Sequence, residues 1–336
     1  MKKIITVILV IALMLFPINT YLAIVPGEDT VSALNIVIVD AQVLQEQVVS
    51  KDWLPSWGRA ETILSEDGSE VLLGKAPISD LSATEFPSVV MPDAPKLPVS
   101  SPNSISLLGS WYQVTPTALM QYRSTVFLLC RTESGAYISG SGFVLGPSTV
   151  VTSAHMVCNE DFYGTSLYPE SVTVYPAYTG HYTGSGTAPF GSASATSYAF
   201  YQDYRTTGNQ KYDWAIITLN RNIGDQTGYP NIKKGPNLWQ SISAIGYPGY
   251  INAGSQVTNY QMYRSDGSVY SFLDTHRFTS TNTNSAEGMS GGPVYISGPY
   301  VVGIVHGAQS SPNRNIYMRM NNDAMDLLET FQNRRV

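Results

Sequence analysis

Three short segments carry side chains able to break an acyl bond. Gly288-Met-Ser290-Gly-Gly-Pro293 sets a serine between glycines. A serine hydroxyl is a poor nucleophile until a base takes its proton and backbone N–H groups await the oxyanion. Glycines on both sides let the chain turn tightly, so the N–H groups of Gly288 and Ser290 can converge on one hole. Thr152-Ser-Ala-His155 ends a strand-like run in an imidazole, with small residues before it that leave room for the ring. Tyr212-Asp213-Trp-Ala-Ile-Ile-Thr-Leu219 puts a carboxylate at the mouth of an apolar strand. Buried there, it can hold an imidazole Nδ1–H, fix the tautomer and stabilise the imidazolium as it forms. Each segment alone also reads as something bland: a glycine turn, a polar loop histidine, a strand-capping acid. Together they read as nucleophile Ser290, base His155 and orienting acid Asp213.

Chain order sharpens this. The G-x-S-x-G elbow of α/β-hydrolases needs an acid and then a histidine after the serine. Here His306 is the only later histidine, and no acid separates it from Ser290. The elbow reading fails, and the order His, Asp, Ser stands.

Side chains so far apart in sequence need a rigid frame. From about residue 105, short apolar runs alternate with turn signals, at 124–130, 142–145, 149–152, 172–175, 214–219, 242–245, 292–296 and 301–305. Many short strands predict an all-β barrel or sandwich. The stretch 178–210, rich in Tyr, Gly, Ser and Thr, reads as a long surface loop. Only the end reads as a helix, with Asn321 and Asn322 as caps and Met325, Leu328 and Phe331 at helical spacing.

The 336 residues are 43% hydrophobic and only 13% charged, with 22 Tyr, 28 Gly and 20 Pro, which suits an exported β-rich enzyme. A net charge of −6 argues against a nucleic-acid partner. Lys2 and Lys3 precede an apolar run, 4–16, that Pro17 breaks and that is short for a bilayer span. With Val31-Ser-Ala33 as a small-residue cleavage site, residues 1–33 read as a signal peptide and the protein as secreted. Residues 34–105 hold Glu61, Glu66, Asp67 and Glu70 and end in the Pro- and Ser-rich stretch 92–102. They read as an extended, exposed connector and, by position, as a propeptide. The mature chain would start near 101–108, with 106–225 carrying His155 and Asp213 and 226–336 carrying Ser290. No later segment is apolar and long enough to cross a membrane. Cys130 and Cys158 are either paired or buried free thiols, and neither has a metal-ligand neighbour, so no zinc site is expected.

On Thr-Ser-Ala-His155, Asp213-Trp-Ala-Ile and Gly288-Met-Ser290-Gly-Gly-Pro, the chain resembles the trypsin-like serine proteases from about residue 105 to 336. Within them it looks closest to the bacterial glutamyl endopeptidases of the V8-like branch. The resemblance implies two six-stranded antiparallel β-barrels with the site between them, a C-terminal helix and no cofactor. It implies an oxyanion hole from Gly288 and Ser290, and places Asn284 at the base of the primary pocket, which disfavours cleavage after Arg or Lys. Ser285 stands where that branch keeps a small hydroxyl. Val305-His306-Gly307 resembles the segment whose histidine binds the substrate carboxylate, and an imidazole and a hydroxyl can both donate to a Glu side chain. Two departures stand out. Met289 replaces the acid that in trypsin pairs with the new N-terminus, and Glu287 must face solvent if it is not to oppose the oxyanion. Cys130 does not align with the cysteine that pairs across the histidine loop in disulfide-bearing relatives.

The expected protein is therefore a secreted, monomeric serine endopeptidase acting on proteins or peptides, cleaving after Glu and less readily after Asp. Alternatives are a protease with another primary preference, and a catalytically silent secreted binding protein on the same fold.

Overall fold

Short strands rich in β-branched and aromatic residues build two sheets that close on themselves. In the computed structural model, residues 35–50, 60, 62–65, 67–76, 88–90, 109–180, 185–251, 256–280, 282–297, 300–309 and 314–336 are described. The expected signal peptide and the segment 91–108, with the expected mature N-terminus, lie outside them.

The first sheet runs in the order Ser171–Pro176, Thr125–Arg131, Tyr137–Gly146, Thr149–Thr152, Ala215–Leu219, Ala193–Tyr201. It closes where Thr173 and Val174 pair with Ser194 and Ala193. The second runs Pro293–Ile296, Ser241–Gly246, Tyr263–Phe272, Arg277–Ser280, Arg314–Arg319, Tyr300–Gln309, and closes where the first of these pairs with the last. Both are six-stranded antiparallel barrels, as the resemblance to the trypsin-like proteases implied. Val126, Leu128, Val150 and Ile217 fill the first, and Ile242, Phe278, Val294 and Tyr317 the second. A third cluster, with Phe127, Trp214 and Tyr247, lies between the barrels.

The helix Asn322–Phe331 forms as predicted. Asn321 caps it by accepting from the Ala324 N–H at 3.0 Å. Its apolar stripe, Ala324, Met325, Leu327, Leu328 and Phe331, is buried in the inter-barrel cluster.

Two expectations need correction. The stretch 178–210 is not one long loop, because Ala193–Tyr201 is a nine-residue barrel strand with Tyr198, Ala199, Phe200 and Tyr201 buried. Nor are residues 34–105 an exposed connector throughout. Asn35–Asp40 and Glu46–Ser50 extend the first barrel through Ala193–Tyr201. Thr62–Leu64 and Glu70–Leu72 extend the second through Asn231–Lys233, which pairs in parallel with Tyr300–Gln309. Ile36, Val37, Val39 and Leu72 are core residues. The unbroken β-branched run within Asn35-Ile-Val-Ile-Val-Asp40 outweighs the charged residues and prolines that follow it.

Candidate active site

Adjacent antiparallel strands place His155 beside Asp213. Ala215 pairs with Thr152, so the residues just past the end of one strand meet those just before the start of the other. After Thr152 the chain makes a single 3-10 turn, Ala154–Met156, carrying His155. Before Ala215 another 3-10 turn, Gln210–Tyr212, delivers Asp213, with the Asn209 side chain accepting from the Lys211 N–H. Asp213 has no exposed surface. Its Oδ1 accepts from the His155 backbone N–H at 2.9 Å, and its Oδ2 stands 2.8 Å from His155 Nδ1.

A second imidazole reaches the same oxygen. His306 Nδ1 lies 2.5 Å from Asp213 Oδ2. Burial alone would raise the Asp213 pKa, but the His155 charge and the hydrogen bonds from both histidines hold it far below the ordinary carboxylate range. An ionised Asp213 only accepts, so each Nδ1 must carry the hydrogen and each Nε2 is left free. Burial works to lower the His155 pKa, yet the charge and hydrogen bond of Asp213 raise it above its ordinary 6.5. The ligand atoms of these three residues lie within 4.8 Å of one another, a spacing that can suit a cation. Protons shared with a single oxygen account for the cluster as it stands.

The serine comes from the other barrel. Gly288 has φ +92° and Gly291 φ +81°, values that L side chains rarely adopt. A Cβ on Gly288 would stand 2.4 Å from the Tyr247 carbonyl oxygen, and one on Gly291 2.1 Å from Thr152 Oγ1. The turn is thus pressed against the strand that leads to His155. Ser141, fully buried on the first barrel, pins it there. Its N–H donates to the Ser290 carbonyl at 2.9 Å. Its hydroxyl donates to the Gly288 carbonyl at 2.7 Å and accepts from the Tyr247 N–H at 2.9 Å. The Gly291 N–H and the Ser153 hydroxyl both donate to the Val305 carbonyl, next to His306. Among the described residues, neither the Gly288 nor the Ser290 N–H donates to a protein acceptor, and no hydrogen bond joins the Ser290 hydroxyl to His155. Glu287 is exposed, and Met289 is buried in the core of the second barrel.

The residues expected to recognise substrate are held by their neighbours. Asn284 exchanges hydrogen bonds with the Gly109 backbone, accepting at 3.1 Å and donating at 2.6 Å. The Ser285 hydroxyl donates to Asn315 Oδ1 at 2.7 Å, and the Asn315 amide donates to the Thr283 carbonyl. Gly307 borders open space. His306, His155, Arg205 and Gln210 line a cleft of about 670 Å³, and Ser290, Ser285, Asn284 and Gly307 are not part of its lining. Cys130 and Cys158 are buried and unpaired, and burial pushes their thiols up to about 12 and about 11. Sequence reasoning missed Ser141 and Asn315. For Ser141 the available signal was a hydroxyl inside the strand Tyr137–Gly146, where the barrel wall demands a partner for it.

The family model named Trypsin matches residues 115–326. The chain belongs to the trypsin family. A glutamyl endopeptidase of Bacillus licheniformis is 27% identical over 254 residues, spanning 71% of this chain and 73% of that protein. A Bacillus subtilis protein called extracellular metalloprotease is 25% identical over 238 residues, 69% of this chain and 71% of that protein. The solved structure of a Glu endopeptidase in complex with MPD matches with a TM-score of 0.55 at 24% identity, covering 71% of this chain and 97% of that chain. The protease Anisep from Arthrobacter nicotinovorans matches at 0.53 and 19% identity, covering 66% and 99%. As a member of the trypsin family this chain is a serine endopeptidase, which sets aside the catalytically silent alternative. Among the described residues no helix is long and apolar enough to cross a membrane.

Proposed function

We propose that this trypsin-family endopeptidase is secreted and cleaves after Glu, less readily after Asp, through an acyl-enzyme on Ser290. The observation that carries the catalytic assignment is the fully buried Asp213 carboxylate accepting both the N–H and the Nδ1–H of His155. That arrangement fixes the tautomer, so His155 Nε2 takes the Ser290 proton as the hydroxyl attacks, and later delivers it to the leaving amine. The free N–H groups of Gly288 and Ser290 receive the oxyanion, each worth about 2.7–4 kcal/mol in the transition state. Glu preference draws on the likeness to the Bacillus licheniformis glutamyl endopeptidase, with His306 Nε2, Ser285, Asn284 and Gly307 around the substrate side chain. Secretion draws on the charged, apolar and small-residue pattern of residues 1–33. Removal of a leader within 34–105 would complete maturation, with the enzyme acting as a monomer.

One observation favours a second primary preference. His306 Nδ1 is committed to Asp213, Ser285 to Asn315 and Asn284 to Gly109, which leaves few donors for a substrate carboxylate. Mapping the bonds cut in a peptide library, with Ser290→Ala in parallel, separates the readings. Cuts after Glu that vanish in Ser290→Ala support the whole proposal. Cuts after other residues keep the triad and remove the Glu assignment. In the same assay His306→Ala should abolish Glu preference far more than general esterase activity. An equal loss on all substrates would make His306 a positioning residue for Asp213.

A further inference from the structure

We infer that the strands between Asn35 and Lys75 are a lasting part of the enzyme, and that after a cut downstream of Lys75 they remain seated on both barrels as a non-covalent subunit. The inference deepens the reading of residues 34–105 as a leader that is cut from the enzyme.

The first barrel closes over only part of its seam. Ser171–Pro176 reaches Ser194 and Ala193 at one end of the Ala193–Tyr201 strand. Asn35–Asp40 takes the rest of that edge, from Ile36 opposite Tyr201 to Asp40 opposite Ser197. Val37 and Val39 enter the first barrel's core, at 1% and 0% exposure, beside Tyr198 and Phe200. Departure of this strand would open the seam and wet that core. Adding a strand to an exposed edge is a known mode of peptide capture, in which main-chain hydrogen bonds supply affinity and alternate side chains supply fit.

The second barrel is gripped as well. Leu72 is fully buried opposite Ile232, and the Lys75 and Tyr229 backbones exchange hydrogen bonds at 2.9 Å. Gly74 comes so close that a Cβ would lie 2.2 Å from the Tyr229 carbonyl oxygen. The C-terminal helix region holds the same segment, with Gln332 Nε2 donating to the Leu73 carbonyl and the Ala60 N–H donating to the Glu329 carbonyl. Charges match across the contact: Glu46 with Arg205, Asp67 with Lys233, Glu70 with Lys234 and Lys75 with Asp225. Such exposed pairs add selectivity more than affinity.

Retention leaves the cleft beside His155 open. None of the residues lining the cleft beside His155 comes from these strands. Their link to it is Glu46, which accepts from Tyr168 Oη and from Arg205, a residue of the cleft wall. A subunit that stays therefore braces the cleft and does not plug it.

The test uses the full chain carrying Ser290→Ala, with a recognition sequence for a site-specific protease placed between Lys75 and Ser88. After cutting, size-exclusion chromatography without denaturant should give one peak holding both fragments one-to-one by intact mass. They should separate only in concentrated guanidinium chloride, and Val37→Asp should release the fragment from the cut chain. A cut chain with Val37 intact whose fragment elutes alone, while the remainder keeps its thermal midpoint, would overturn the inference. Intact mass of the active secreted enzyme tests the leader reading separately. If no cut is found there, that reading fails, and co-elution of the engineered cut chain still decides the retention.

Discussion

The buried oxygen Asp213 Oδ2, shared by two imidazoles, ties catalysis to acidity. Asp213 has its pKa lowered from 3.8, so its contribution to stability is present above that value and lost as pH falls through the folded one. His155 has its pKa raised from 6.5, so its contribution is complete below that value and lost as pH rises through the folded one. Both contributions coexist between 3.8 and 6.5. The proposed role of His155 as base needs it neutral, so kcat/KM should climb with pH in a range where the pair's contribution to stability is already falling. Urea unfolding of Ser290→Ala against pH, beside kcat/KM of the wild type, should show the two maxima displaced, and Asp213→Asn should abolish the displacement. Ser141 offers a second check. Its removal leaves the Gly288 carbonyl and the Tyr247 N–H buried without their partner, so Ser141→Ala should cost about 1–3 kcal/mol in urea unfolding and lower kcat more than it raises KM.

Turns and strands were legible to different degrees. Thr149–Thr152 and the apolar part of Ala215–Leu219 declare themselves through β-branched runs, and with them the positions of His155 and Asp213. Ala193–Tyr201 does not, because Ala193-Ser-Ala-Thr-Ser-Tyr198 is small and polar and resembles a linker. Such residues suit a barrel wall where neighbouring strands pack close, a tertiary effect that no local pattern carries. His306 was found by type and place, but its bond to Asp213 depends on how Val305 is held by Gly291 and Ser153. The glycine turn was read from spacing alone, and its φ values supply the reason for it. Gly288→Ala should lose most kcat while leaving the fold intact, since the strain of φ +92° and the clash with the Tyr247 carbonyl would displace the N–H groups proposed to receive the oxyanion. Circular dichroism beside fluorophosphonate labelling checks this. The helix was legible down to its cap, and Asn321→Ala should lower stability by about 1 kcal/mol in the same denaturation assay.

At the scale of the molecule, activity should be indifferent to chelators. The His155, Asp213 and His306 atoms are joined by hydrogen bonds, so extended dialysis against EDTA should leave kcat/KM unchanged, and a loss restored by zinc would show a cation at that cluster. The barrels also depend on the first described strands, Asn35–Asp40 and Glu46–Ser50, in a way that bears on timing. Asn35 bonds to Gln202, 167 residues away, and Glu46 to Arg205, 159 residues away. The strand Asn35–Asp40 must therefore wait for more than half the polypeptide before it finds its edge. Contacts of such long range make folding slow. Under the proposed secretion, a chain that cannot close its first barrel until its middle has emerged would stay unfolded long enough to be threaded through an export channel, and would acquire its cleft only on the far side.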